Sequence, residues 1–229
     1  MNVDNLNELL SRKEELNPEL QRYLVDFPTF GKALQHPLVY EVPYWPAMNA
    51  LINERYKQKL NALEIARKES NWERVIYIHE RPYRWEALEC VSTFLEKERL
   101  AQMFADVWID SENIWQHQEV IGDLINQVKD TELKDCLMSE DDYLRYQLLP
   151  KTVEVYRGCL DHNQQGLSWT LDKEKAIWFA QRFQREGITP MVLSGRVNKS
   201  DILFYTDGRS ESEVVVVSNN CVEITGCIL

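Results

Sequence analysis

The chain has 229 residues, a formal net charge of −11 and an apolar fraction of 44%, enough to bury a core as one large domain or two small ones. No apolar run approaches the ~20 residues of a membrane-spanning helix, and the polar start Met1-Asn2-Val3-Asp4-Asn5-Leu6 lacks the features of a secretory leader, so no membrane association is expected. The acidic balance argues against broad electrostatic binding to nucleic acid, without excluding a local basic groove, and the scattered Cys90, Cys136, Cys159, Cys221 and Cys227 show no ligand spacing and suit reduced thiols in a cytoplasmic protein.

Glycine divides the chain. Gly31 and Gly122 lie before residue 150, and the other glycines follow it. The fold class this predicts is α+β: a mostly helical N-terminal region, 1–150, then a mixed β-sheet core with a few helices, 151–229. Whether part of the first region packs as one unit with the second is left open. Residues 4–24 read as an amphipathic helix broken at Asn17-Pro18, with Leu6, Leu9, Leu10, Leu16, Leu20 and Leu24 for burial. Phe27-Pro28, His36-Pro37 and Val42-Pro43-Tyr44-Trp45-Pro46 follow. Proline discourages helix in the residue before it, so this stretch reads as a loop or extended arm whose aromatics pack inward or receive a partner.

Residues 47–69 predict a charged helix. Val75-Ile76-Tyr77-Ile78 fits either a strand or a helix ending before Arg81-Pro82. Residues 84–108 carry Trp85, Leu88, Val91, Leu95, Leu100, Phe104 and Trp108 at helical intervals, a spacing that suits core packing. Asp110-Ser111-Glu112 reads as the start of a helix carrying Ile114, Trp115, Ile121, Leu124, Ile125 and Val128. A further helix is expected within 130–149. His36, His79, His117 and His162 have no spacing that suggests a metal site.

From Thr152 the character changes. Thr152-Val153-Glu154-Val155-Tyr156-Arg157-Gly158 alternates like a strand, and Gly166-Leu167-Ser168-Trp169-Thr170 is a second extended segment. Asp172 caps a helix with Ala176, Phe179, Ala180 and Phe183 on one stripe, ended by Gly187. Strands are expected at 191–197, at 201–205, at the run Val214-Val215-Val216-Val217, and at 221–229. The turn Thr206-Asp207-Gly208-Arg209-Ser210 leads into Glu211-Ser212-Glu213. Two residues apart in a strand, Glu211 and Glu213 would point to one side and repel where water screens least. Alone, the pair fits a solvated strand edge.

Three elements stand in order: Arg-Gly ending a strand, Ser-x-Thr before a helix, and Glu-x-Glu entering a late strand. Together, residues 151–229 resemble the mono-ADP-ribosyltransferases with the Arg…Ser-x-Ser/Thr…Glu-x-Glu signature, carried by Val155-Tyr156-Arg157-Gly158, Gly166-Leu167-Ser168-Trp169-Thr170 with Ala176, Phe179 and Ala180, and Glu211-Ser212-Glu213. The first part, including Trp108-Ile109-Asp110-Ser111-Glu112-Asn113-Ile114-Trp115, is similar to small phage or prophage proteins of this type.

The resemblance implies NAD as co-substrate and transfer of ADP-ribose to a macromolecular acceptor. Glu213 would bond the ribose 2′-hydroxyl and stabilise the oxocarbenium-like state, as carboxylates do in glycosidases. Glu211 would orient or deprotonate the acceptor. Ser168 would hold Glu213, with Thr170 supporting the same strand edge. Arg157 would pair with the diphosphate, the backbone of Gly158 would approach the nicotinamide, and Phe179 would wall that pocket or pack in the core. Tyr205 is the candidate aromatic for recognising the acceptor. Glu-x-Glu favours a protein arginine, and the cations from Lys173 to Lys199 keep a nucleic-acid acceptor open. The alternatives are a non-catalytic interaction module and an NAD glycohydrolase on the same fold. A toxin or phage role would call for an antitoxin-like inhibitor.

Overall fold

The computed structural model describes residues 12–112, 114–161, 163–182 and 189–227. The early part of the helix expected over 4–24, with Leu6, Leu9 and Leu10, lies outside the described residues, as do Asn113, His162, Phe183, Gly187, Ile228 and Leu229. The fold is α+β. It forms two compact units, 1–94 and 95–229, so the division falls between Phe94 and Leu95 and not at residue 150.

The first unit contains α1 (Pro18–Gln21), β1 (Leu24–Phe27), β2 (Gly31–His36), β3 (Val39–Glu41), α2 (Asn49–Lys68), α3 (Trp72–Ile78) and α4 (Arg84–Val91). Asn17 caps α1, accepting from the Glu19 N–H, with Pro18 at the first helical position. The proline-rich stretch is not an arm. It holds a three-stranded antiparallel sheet, β1-β2-β3, and its prolines fall outside the strands, where no ladder donor is lost. Val75-Ile76-Tyr77-Ile78 is helical, with the Asn71 side chain accepting from the Arg74 N–H at 3.1 Å.

The second unit opens with three helices, α5 (Lys97–Asp110), α6 (Gln118–Val128) and α7 (Glu140–Leu148). Asp110 ends α5 and does not start the next helix. Instead a short 3-10 turn, Ile114–His117, precedes α6. The strands are β4 (Thr152–Leu160), β5 (Ser168–Thr170), β6 (Pro190–Asn198), β7 (Ile202–Thr206), β8 (Glu213–Val216) and β9 (Val222–Cys227), with α8 (Lys173–Arg182) after β5. The sheet order is β7-β8-β5-β4-β6-β9. Where a mixed sheet was expected, every described pairing is antiparallel. The β4–β5 junction is a single pair, Tyr156 with Thr170, while β4 and β6 pair along their whole length. The sheet is thus two three-stranded halves joined at one point.

β8 explains how a carboxylate enters the core. Its four residues are all buried. Val214 and Val216 point into a cluster with Trp169, Tyr205, Ile202 and Val155. Tyr205 is therefore core, which removes it as an acceptor-recognising aromatic. Side chains alternate across a strand, so Glu213 and Val215 face the other way. There Glu213 sits opposite Thr170 on β5 and Thr206 on β7. That face lies against α5, whose Phe104 and Trp108 rings meet Phe204 edge-on at 6.4 and 5.9 Å.

Gly158 has a packing reason. A Cβ there would lie 2.0 Å from the Ala176 carbonyl oxygen and 2.6 Å from the Ala180 nitrogen. Only glycine lets α8 sit this close to β4.

Among the described residues, no helix is long and apolar enough to cross a membrane, and no group of three His, Cys, Asp or Glu is placed to hold a metal ion.

Candidate functional site

Glu213 is 2% exposed, yet its carboxylate has a full set of donors. Ser168 Oγ donates to Oε1 at 2.5 Å, Trp108 Nε1 donates to the same oxygen at 3.0 Å, and Arg209 Nη2 meets Oε2 at 3.2 Å. Ser168 pairs with Val215, so it reaches Glu213 on the diagonal of the β5–β8 ladder. A buried carboxylate without such partners would cost several kcal/mol. This cluster therefore explains how the fold tolerates a charge inside a valine strand.

Arg209 joins the two glutamates. Its Nε lies 3.4 Å from Glu211 Oε2 while Nη2 takes Glu213, and Nη1 donates to the Ser111 carbonyl at 3.0 Å. Ser111 is the C-cap of α5, so the guanidinium also satisfies a helix-end carbonyl at the negative end of the dipole. The strand pleat does not relate Glu211 to Glu213 as expected. Glu213 opens β8, and Ser212 before it is left-handed at φ 44°. The shared guanidinium brings the carboxylates together.

The turn that carries Arg209 is tightly tied. Asp207 Oδ1 accepts from the Ser212 N–H at 2.9 Å, Arg145 Nη1 donates to Asp207 Oδ2 at 2.6 Å, and the Asp207 N–H reaches Asp142 at 3.1 Å. The Ser212 backbone bond, ahead of the Arg145 charge, holds the Asp207 carboxyl below its ordinary pKa. Ser210 is also left-handed, at φ 55°. Two non-glycine residues in this region flank Glu211, and such backbone costs of order 1–3 kcal/mol each and gathers at functional sites. Thr170 is buried and donates to the Glu211 carbonyl at 2.6 Å, so it supports the Glu211 peptide. Burial raises the Glu211 pKa above its ordinary value. Glu213 adds to the rise, while Arg209, Lys175 and Arg182 oppose it.

Arg157 lies where its guanidinium touches the Ser168 segment. Nη1 donates to the Ser168 carbonyl at 2.6 Å and Nη2 to the Asn163 carbonyl at 2.9 Å. A Cβ on Gly166 would fall 1.9 Å from Nη2, so the loop needs glycine to lie on this fork. Burial lowers the arginine pKa, with Cys159 and Glu213 opposing, and Nε is buried with no partner. The guanidinium thus braces residues 163–168 through these two carbonyls. Phe179 packs beside Trp178 with ring centroids 5.0 Å apart, its Cβ 2.9 Å from a Cβ built on Gly158.

A pocket of about 230 Å³ adjoins this cluster. The 3-10 turn and α6 form its apolar wall with Ile114, Trp115, Ile121 and Ile125, and Arg157, Gly166 and Ser168 form part of its polar side. Ligand sites are typically about 300–1,000 Å³, so it suits one ring and its sugar better than a whole dinucleotide. Phe179 and Gly158 do not line it.

Of the residues singled out from sequence, Arg157, Ser168, Thr170, Glu211 and Glu213 come together. Gly158 and Phe179 lie on the α8 side. Trp108, Ser111 and Arg209 belong to the cluster and were missed. Trp108 was read as core. It is core, and its N–H carried no sequence signal for a partner 105 residues away. Arg209 carried no local signal either, since an i to i+4 spacing brings side chains together on a helix and 209–213 is a turn entering β8. No protein family, curated protein or solved structure matches the chain.

Proposed function

We propose that the chain is an NAD-dependent mono-ADP-ribosyltransferase acting on a macromolecular acceptor, with a protein arginine favoured over nucleic acid. The observation that carries this reading is the meeting of Arg157, Ser168 and Glu213: Arg157 holds the Ser168 carbonyl, and the Ser168 hydroxyl holds Glu213. These are the residue types of the Arg…Ser-x-Ser/Thr…Glu-x-Glu signature, in one cluster beside a pocket sized for part of NAD.

In this proposal the nicotinamide end of NAD enters beside Ser168, against the apolar wall of Ile114, Trp115, Ile121 and Ile125. Glu213 accepts a hydrogen bond from the ribose 2′-hydroxyl, and its negative charge stabilises the positive charge that develops as the glycosidic bond breaks. Ser168 and Trp108 fix the carboxylate, so little reorganisation is needed at that moment. Glu211, with its raised pKa, takes the proton that the acceptor loses. Arg157 acts through the 163–168 segment that it braces.

One observation favours a second reading. Both glutamates are occupied by the chain's own Arg209, which suits a non-catalytic interaction module. The readings separate on incubation with labelled NAD and cell lysate. Transferase activity labels a macromolecule, and Glu213→Gln abolishes the label while leaving the circular dichroism unchanged. Label that persists in folded Glu213→Gln protein would sink the role of Glu213. Protease and nuclease treatment of the product assigns the acceptor class. Free ADP-ribose without labelled macromolecule identifies a glycohydrolase, and no nicotinamide release supports the interaction module.

A further inference from the structure

We propose that the exposed face of α8 docks an acidic segment of the acceptor protein, with Trp178 seated between Lys175 and Arg182. The inference rests on the transferase reading and deepens it, by naming the chemistry that lies beside the target arginine.

The inner side of α8 is buried: Ala176 and Ala180 pack with Val192 of β6. Lys175, Trp178 and Arg182 stand on another side, at i, i+3 and i+7. The Trp178 indole is 51% exposed, with Lys175 Nζ 5.9 Å and Arg182 Cζ 5.2 Å from its ring centroid. An indole flanked by cations and left in water serves no core, and Trp and Arg are the side chains that most often anchor interfaces.

The same cations act on Glu211. Thr170 donates to the Glu211 carbonyl at 2.6 Å and the Leu171 N–H to the Ser212 carbonyl at 3.1 Å, so the start of α8 is tied to the glutamate turn. Burial raises the Glu211 pKa, and Lys175 and Arg182 are among the charges that oppose the rise. Those cations repel an acceptor guanidinium on its way to Glu211. A carboxylate carried beside the target arginine pairs with them and offsets the repulsion, while an apolar side chain covers the indole. A nucleic-acid strand fits less well. α8 carries Lys173, Lys175 and Arg182 against Glu174, few cations for a polyanion, and the chain's net charge of −11 opposes its approach.

The purified full chain is given three fluorescent peptides, each with one arginine and a leucine, flanked by glutamate, glutamine or lysine. Binding is read by anisotropy, and transfer by label from NAD. The glutamate peptide should lead the glutamine peptide by roughly three- to tenfold in Kd and KM, and the lysine peptide should come last. Lys175→Gln with Arg182→Gln should level the three peptides, and Lys175→Glu with Arg182→Glu should reverse their order. The order within each protein is what is read, so a general loss of activity does not move it. Equal use of the three peptides, or an order that survives both double variants, overturns the docking face and leaves the transferase reading intact. Label on nucleic acid with none on peptide does the same. Absence of any nicotinamide release overturns the transferase reading, and this inference with it.

Discussion

The hydrogen bond from Trp108 to Glu213 links α5 to β8, and its energy can be isolated with Trp108→Phe, Glu213→Leu and the double variant. The acceptor is a carboxylate at 3.0 Å in a buried setting, where a bond to a charged group contributes about 1.5–3 kcal/mol. Trp108→Phe also vacates space beside Phe104 and Phe204, which adds a loss on the order of 1–3 kcal/mol. Each single variant therefore mixes packing with an orphaned polar group. The double variant removes both polar partners and leaves neither orphaned. Urea unfolding of the four proteins by circular dichroism, with the transition of the 95–229 unit fitted separately, gives the coupling energy. We expect about 1.5–3 kcal/mol of coupling from the lost charged bond. Additive losses within about 0.5 kcal/mol would show that the bond contributes nothing, and Trp108 would then be only a packing residue.

Gly158→Ala forces a Cβ into backbone atoms of α8 at 2.0 and 2.6 Å. Overpacking of this kind costs typically 1–3 kcal/mol, so a clear fall in Tm is expected, and an unchanged Tm would contradict the α8–β4 approach. Ser210→Val places a β-branched residue at φ 55° and should lose about 1–2 kcal/mol, whereas Ser210→Gly should lose none. Thermal melts of both compare these directly. Asp207 has a depressed pKa in the fold, so its stabilising effect is present above the ordinary value of 3.8 and fades as pH falls through the lower folded value. Asp207→Asn should therefore melt below the unaltered protein at neutral pH, with a gap that narrows below pH 3.8. A gap that is constant with pH would remove the charge from the explanation.

Much of the second unit was legible locally. Period-two alternation marked β4, the valine run marked β8, and the stripe of Ala176, Phe179 and Ala180 marked α8, because each pattern reflects one element burying one face. The first unit was less legible. Its prolines suggested an arm because local propensity says nothing of pairing between β1, β2 and β3, and those strands are only three to six residues long. The boundary at residue 150 followed composition, whereas compactness follows burial. α5 and its neighbours α6 and α7 are helical in composition, yet they complete the sheet's core, with Tyr146 of α7 in the valine cluster and Trp108 of α5 on Glu213.

The site divides in the same way. By itself the sequence determined which residue types stand ready: an arginine in one strand, placed at its end from sequence but lying inside β4, which runs on to Leu160, a serine opening the next, and two glutamates at a late turn. Those are local features, set by side-chain identity and strand period. Only the tertiary structure decided what each one touches. Glu213 is buried because β8 is covered on both faces, and that burial makes the donors Ser168, Trp108 and Arg209 necessary. Arg157 turns inward because Gly166 leaves room for its fork. Arg209 bridges two carboxylates because left-handed backbone at Ser210 and Ser212 folds the turn back on the end of α5. Such contacts depend on chain separations that no local pattern encodes, and they decide whether a charged residue is a solvated edge or the centre of a site.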